Sequence, residues 1–259
     1  MNRAQQPYRR AATRGFTLVE LMVALFIGLF LVAGMVSVLQ GTSHTSSNQM
    51  ALAQLQNNER IAMTLMTDVI QQAGYYPDVQ SSSLESAFPT APALPAAPAP
   101  AFTEPGQFIV GQTGATTFGD SITVRYQTDG TVLNCLGSSD SPSVPHEYTF
   151  SVNASGQLVC SVDSNSPVPL IGNVHNIQVL YGIDAVSTTE YSSSPVNAYV
   201  SASDMTAVNW TNVHSVKIVF TFTNPLAGQP GQGAVPTITF TRIVGVMARN
   251  GVNVVTETT

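Results

Sequence analysis

Positive charge is scarce in this chain, and lysine is almost missing. Only 9% of the 259 residues are charged, and Lys217 is the single lysine among nine basic residues. Four of those nine precede Phe16, so the remaining chain has five basic residues against fifteen acidic ones and a formal charge of −10. A body of this charge repels phosphate groups, and no nucleic-acid partner is expected.

Proline and charge are both missing from a long stretch near the N-terminus. No proline occurs between Phe16 and Tyr76, and residues 16–39, FTLVELMVALFIGLFLVAGMVSVL, contain one ionisable side chain, Glu20. A cleaved secretory signal has a shorter apolar region, about 7–15 residues, and a small-residue cleavage site that this run lacks. A run of 24 residues is long enough to span a bilayer. Residues 16–39 are therefore predicted to be a retained transmembrane helix.

The basic residues at the start of the chain predict its orientation in the membrane. Positive charge next to a membrane span stays in the cytoplasm, so the chain after residue 39 is expected to be exported. The four arginines that carry this charge are Arg3, Arg9, Arg10 and Arg14.

The apolar run continues without a clear break into an amphipathic stretch, so residues 16–74 are predicted to form one helix. Gly74 and Pro77 supply its stop signals. Apolar side chains recur at three-and-four spacing, with Glu59 filling one step, and this stripe predicts packing against a domain. The apolar members of the stripe are Leu52, Leu55, Ala62, Met66, Val69 and Ala73.

A proline-rich segment follows the helix. Residues 75–106 contain seven prolines, six of them between positions 89 and 105. Such a composition forms neither a helix nor a central strand, so it predicts an extended, polyproline-like connector. The alternative is a proline-rich peptide ligand.

Residues 107–259 are predicted to form a β-rich head. Short β-like runs alternate with turn residues, as in DSITVRYQTDG, TVLNCLG, and HEYTFSV followed by NASG and QLVCSVD, which predicts a hairpin. VHSVKIVFTFTNP and PTITFTRIVGVMARN are predicted to pair as two long strands, and residues 185–209 to form an irregular surface loop. One long helix against a sheet is an α+β fold.

Two cysteines are the only candidates for covalent cross-linking. Cys135 and Cys160 belong to the exported part, where a disulfide is the default expectation, and no CxxC spacing indicates redox chemistry. The segment DSNS, residues 163–166, lacks the glycine and terminal glutamate of a calcium loop and is predicted to be a turn. The histidines lack ligand spacing, so neither a metal site nor a cofactor is expected; they are His44, His146, His175 and His214.

No enzyme motif is present either: the chain has no GxSxG, HExxH or phosphate-binding glycine loop. Glu20 is the one side chain with a strong functional signal. A charge at the centre of a bilayer costs about 2.5–3.5 kcal/mol on insertion scales, so an acid in such a run needs a partner.

The stretch RGFTLVE, residues 14–20, resembles the prepilin signal of type IV pilins and pseudopilins. In that family a short basic leader ends in a glycine, here Gly15, and the mature chain begins with Phe16 and has a glutamate at its fifth position, here Glu20. Further segments resemble the PilW family of minor pilins: RIAMTLMTDVIQQAGYY, DSITVRY, PLIGNVHNIQVLYGID and FTRIVGVMARN.

The resemblance implies a fold and a processing mechanism. A prepilin peptidase would remove the leader, residues 1–15, by cutting between Gly15 and Phe16, and would methylate the new amine of Phe16. Glu20 would then form a salt bridge with the N-terminal ammonium of Phe16 in a neighbouring subunit. The implied fold is type IV pilin-like, with the apolar half of the helix in the membrane or the filament core.

It also implies partners and a location. The chain would wait in the inner membrane with its N-terminus in the cytoplasm and its head in the periplasm, and would then join other minor and major pilins in a pilus at the cell surface. A tip adhesin is a further candidate partner. The implied roles are pilus biogenesis, twitching motility and adhesion. Two alternatives stay open: a minor pseudopilin of type II secretion, and a receptor-binding module at the pilus tip.

This sequence departs from the pattern of major pilins at three points. The helix has no proline, 99 residues follow Cys160 where a major pilin has its disulfide near the C-terminus, and the chain is longer. These departures favour a minor subunit that primes or caps the fibre.

Overall fold

The computed structural model describes residues 15–95, 97–186, 195–229 and 235–250. These residues divide into two compact units, one reaching Met50 and one beginning at Ala51. A long helix and a nine-stranded sheet dominate, so the predicted α+β arrangement is confirmed.

The helices are α1 Leu18–Gln71, α2 Leu84–Ala87, α3 Ala207–Thr211 and α4 Met247–Asn250. The strands are β1 Ile109–Thr116, β2 Gly119–Gln127, β3 Pro145–Val152, β4 Leu158–Val162, β5 Val168–Ile171, β6 Val174–Ile183, β7 Ala198–Ser201, β8 Ser215–Thr223 and β9 Thr237–Gly245.

The end of α1 is fixed by a glycine. Gly74 has a φ of +76°, and its N–H donates to the carbonyl of Arg125 on β2 at 3.1 Å. A Cβ at this position would lie 2.8 Å from the ring of Phe108. Both the left-handed backbone and the close ring require glycine here, which agrees with the predicted stop signal.

In the second unit, one stripe of α1 packs on the sheet. Its buried residues share a single apolar core with the side chains of β2, β3, β6 and β8. This stripe agrees with the three-and-four spacing of the sequence, and it joins the helix to the sheet by apolar burial. The buried helix residues are Leu55, Ala62, Met63, Met66, Val69 and Ile70.

The sheet has the strand order β5-β4-β3-β2-β6-β8-β9, with β1 also paired to β2 and β7 to β6. Neighbouring strands are antiparallel, except that β2 and β6 meet in a parallel bridge at Gly119 and Ile177. The predicted hairpin of β3 and β4 and the predicted pair of β8 and β9 are both present.

A buried carboxylate holds the sheet together where it branches. β2 has three partner strands, because it pairs with β1 and β3 along its length and meets β6 at Gly119. The Asp120 carboxylate accepts the N–H of Gly114 from β1 and the N–H of Val179 from β6, both at 2.9 Å. Asp120 therefore accepts hydrogen bonds from two backbone N–H groups, those of Gly114 and Val179, at the point where three strands meet β2.

The proline-rich segment differs from its prediction. It is not an extended spacer but a folded loop on the sheet, closed by bridges between Ala91 and Phe102 and between Leu94 and Ala99. Phe88 and Phe102 are buried in it. We call residues 84–107 the strap; Ala96 lies outside the described residues. The strap explains why β2 is buried on both faces although its sequence alternates.

Two further local predictions need correction. The predicted irregular loop, residues 185–209, contains β7, a 3₁₀ turn at Ala202–Asp204 and the start of α3, while its residues 187–194 lie outside the described part. The run TVLNCLG forms no strand of the sheet, because Leu133 makes only an isolated bridge with Ser139.

Candidate functional site

The N-terminal end of α1 carries the predicted processing and assembly residues. Gly15, Phe16 and Thr17 precede the helix, and Glu20 is its third residue. The Glu20 backbone N–H donates to Thr17 Oγ1 at 3.2 Å, so Thr17 is the N-cap. Thr17 was not among the predicted functional residues, although threonine, two residues and glutamate are the sequence signature of a capping box.

Glu20 is thus placed where the helix favours a negative charge. The first turn of a helix has unpaired N–H groups and the positive end of the helix dipole, which stabilises a nearby carboxylate by about 0.3–1 kcal/mol. Among the residues that the structure describes, the one ion pair is that of His146 and Asp163, so Glu20 has no charged partner within that part of its own chain.

The surroundings of Glu20 are apolar and exposed. Phe16 is 83% exposed, and the large apolar side chains between Leu18 and Leu39 are all exposed as well. This part of α1 is long and apolar enough to cross a membrane. An apolar surface of this extent on a monomer marks a membrane or protein contact.

The cysteines are joined in the disulfide that the sequence predicts. Cys135 lies in the loop between β2 and β3, and Cys160 lies on β4, with a Cα–Cα distance of 6.5 Å. The same loop is held by Asp140, which accepts the Tyr148 hydroxyl at 2.7 Å and Asn134 Nδ2 at 2.9 Å. Disulfide and carboxylate together attach the loop to the hairpin of β3 and β4.

No group of three or more metal-ligating side chains occurs among the described residues. The segment DSNS forms a turn whose first residue, Asp163, has a φ of +53°. Its carboxylate accepts the Glu147 N–H at 2.8 Å and contacts His146 Nδ1 at 2.8 Å. Burial lowers the pKa of His146, but the hydrogen bond and charge of Asp163 outweigh burial and raise it above the ordinary value.

Comparisons with known proteins match two segments of the chain. A family described as Prokaryotic N-terminal methylation motif matches residues 10–36, and one described as Type IV Pilus-assembly protein W matches residues 147–238. A type IV-like pilin from Thermus thermophilus is similar at 14% identity and a TM-score of 0.41, over 75% of this chain and 96% of that one. Among curated proteins no match was found.

The chain therefore carries a prokaryotic N-terminal methylation motif at residues 10–36. Its head contains a PilW segment that extends from β3 to the start of β9, and the resemblance predicted from the sequence is confirmed. The methylation motif includes Gly15, Phe16 and Glu20, and it implies processing by a prepilin peptidase and assembly with other pilins. The strap lies outside both matched segments.

Proposed function

We propose that this chain is a minor pilin, a structural subunit that primes or caps a type IV pilus and supports twitching motility and adhesion. The observation that carries the proposal is the coincidence of the methylation motif with the exposed apolar start of α1. The proposed role is one of assembly, and the catalyst is the peptidase that processes the chain.

Processing acts at the junction of Gly15 and Phe16. The prepilin peptidase would cleave this peptide bond at the cytoplasmic side of the inner membrane and methylate the Phe16 amine. Both residues precede the first turn of α1, so the bond lies outside the helical hydrogen-bond ladder. Cleavage leaves α1 intact and places a new ammonium four residues before Glu20.

Assembly then supplies the partner of Glu20. In a bundle of apolar helices, the carboxylate of one subunit would face the Phe16 ammonium of the next subunit. Desolvation of each charge is costly, and pairing offsets that cost only when both are present and in register. The pair would therefore select the axial position of the incoming subunit.

The first test addresses processing. We expect Gly15→Ala to block cleavage, because the family's peptidase motif requires the glycine, and mass spectrometry of purified protein should then find the leader attached. Gly28→Ala, a glycine of the same helix with open space around it, is the control and should be cleaved normally. A wild-type mature chain that starts anywhere except Phe16 would contradict the assignment.

The second test addresses the pairing. Removal of one member of a buried ion pair commonly costs about 3–5 kcal/mol, so Glu20→Ala should be cleaved normally but enter filaments at least about a hundredfold less often. Immunoblots of sheared pili against whole cells measure this ratio. Glu59→Ala, a half-buried glutamate later in α1, is the control for loss of a helix carboxylate. Normal incorporation of the Glu20→Ala chain would refute the pairing.

A deletion strain separates the pilus from the secretion system that shares the same leader. Loss of retractile fibres with normal secretion of hydrolases is expected for a minor pilin. Loss of secretion with fibres intact would assign the chain to type II secretion instead, and fibres that no longer attach would indicate a receptor-binding tip module.

A further inference from the structure

The sheet face that points away from α1 is polar, yet it is buried. On β2 and β3, alternate residues point to the core, and the residues between them are hydroxyl, amide or charged side chains. An antiparallel sheet with one face on the core usually leaves such a polar face in water. Here every member is at most 9% exposed: Ser121, Thr123, Arg125, Gln127, Glu147, Thr149 and Ser151. We call these residues the polar face.

Hydrogen bonds between the polar face and the strap go to strap carbonyls. Gln127 Nε2 donates to the Ala87 carbonyl at 2.9 Å, and Ser121 Oγ donates to the Pro98 carbonyl at 2.5 Å. Six prolines leave the strap poor in N–H donors, so its carbonyls need donors from elsewhere. The polar face supplies them, and its hydrogen bonds to the strap go to the main chain.

Arg125 is the centre of this contact. Its side chain is 1% exposed and donates to the carbonyls of Gln107 at 2.6 Å, Pro89 at 2.6 Å and Phe88 at 3.0 Å. The guanidinium also lies 4.0 Å from the ring centre of Phe102 and 5.5 Å from that of Phe88. A planar cation of this kind can bind main-chain carbonyls and the aromatic rings beside them at the same time.

The strap satisfies the polar face incompletely. Within the described residues, three buried side-chain atoms at or beside this contact have no hydrogen-bond partner: Glu147 Oε2, Gln107 Nε2 and Ser161 Oγ. Ser161 lies on β4 opposite Thr149, and it is therefore on the same side of the sheet as the polar face. Unpaired buried polar atoms are costly, and they reduce the free energy that holds the strap in place.

We propose that the polar face is a recognition surface for a proline-rich segment of a partner polypeptide, and that the strap is its displaceable occupant in the isolated chain. The surface binds main-chain carbonyls and the aromatic rings beside them, so a partner segment with the same chemistry can replace the strap. Displacement also opens Gln107 Nε2, a strap atom without a hydrogen-bond partner, to water or to acceptors of the partner.

Thiol labelling of the full chain in detergent tests whether the strap opens by itself. Thr123→Cys places a thiol on the polar face between Ser121 and Arg125, which both donate to the strap, and Val124→Cys places one in the core on the opposite side of the sheet. Local opening should make the Thr123→Cys thiol react with iodoacetamide about tenfold faster or more, with a weaker urea dependence than the Val124→Cys thiol. Ser121→Cys replaces Thr123→Cys if that variant does not fold. Equal rates and equal urea dependence at both positions would overturn the proposal.

Peptide binding tests the recognition itself. Phe102→Ala removes one ring from the guanidinium and weakens the strap, while slow labelling at Val124→Cys in the same chain verifies that the core stays folded. A fluorescent peptide of residues 84–107 should bind this variant at least tenfold more tightly than it binds the wild-type chain, about 1.4 kcal/mol. The same peptide with alanine at both phenylalanine positions is the control and should bind weakly. If labelling shows that the strap opens but the unaltered peptide of residues 84–107 does not bind, the proposed recognition surface is refuted.

Discussion

Replacement of Glu147 by glutamine should stabilise the head at neutral pH and have no effect at pH 4.5. Glu147 lies on β3 directly opposite Arg125 of β2, and it is 9% exposed. Burial raises the pKa of Glu147 to about 7; the charge of Arg125 opposes this rise and that of Asp163 adds to it. The ionised carboxylate is therefore unfavourable in the folded head, and glutamine has the same shape without the charge.

The sign follows from proton binding. Because the pKa is about 7 in the folded state and about 4.5 in the unfolded state, the folded state binds more protons between these values, and the free energy of unfolding falls as pH rises. At about 1.4 kcal/mol per pH unit, the full loss is about 3 kcal/mol. Partial solvent screening of this side chain reduces the expected loss to about 2 kcal/mol. Arg125 remains charged throughout, since burial lowers its pKa only to about 10.

Urea unfolding of the full chain in detergent, followed by the fluorescence of the single tryptophan, Trp210, measures this difference. Trp210 contacts Tyr181 of the core, with ring centres 4.7 Å apart, and so reports on the head. Glu147→Gln should match the wild type at pH 4.5 and exceed it by about 2 kcal/mol at pH 8. Glu85→Gln changes an exposed carboxylate of the strap and is the control. A difference that does not depend on pH, or a less stable variant at pH 8, would refute the reasoning.

Three further predictions use the same urea assay. Replacement of both Cys135 and Cys160 by serine should lower the free energy of unfolding by about 3 kcal/mol, as expected for a closed loop of 25 residues, and an equal loss on reduction of the wild type is the check. Gly111→Ala should cost about 1–3 kcal/mol, because its Cβ would overlap the Tyr181 hydroxyl. Asp120→Asn should cost about 1–3 kcal/mol, because the amide keeps one oxygen and one of the two backbone N–H groups, of Gly114 or Val179, loses its acceptor; unchanged stability would contradict the anchoring role.

The features that the sequence predicted correctly are those with a strong local pattern. The helix is indicated by a long apolar run, a three-and-four stripe and a glycine stop, and each of these depends on residues close together in the chain. The same holds for the hairpin of β3 and β4, where four turn residues separate two alternating runs. The prepilin signal is also local, since Gly15, Phe16 and Glu20 lie within six residues.

The strap could not be predicted, because its fold depends on residues remote in sequence. Its prolines exclude helix and central strand, and this much is local information. Its path is set by side chains of β2, since Arg125 and Gln127 bind strap carbonyls 18 to 40 positions away. Without those donors the same composition would be an extended connector, which is what the sequence analysis predicted.

Polar and apolar residues alternate along β2, and this alternation gives a wrong prediction of burial for the polar face. A serine, an arginine and a glutamine between apolar residues predict a strand with one face in water. The pattern correctly predicts that the side chains on this face are polar hydrogen-bond donors. It wrongly predicts that they are exposed to water, because the donor-poor strap covers them. A proline-rich segment lacks N–H donors, and a strand with donor side chains at alternate positions has them in excess. The two satisfy each other's hydrogen bonds when they pack together. This combination of segment and strand can therefore be sought in other sequences.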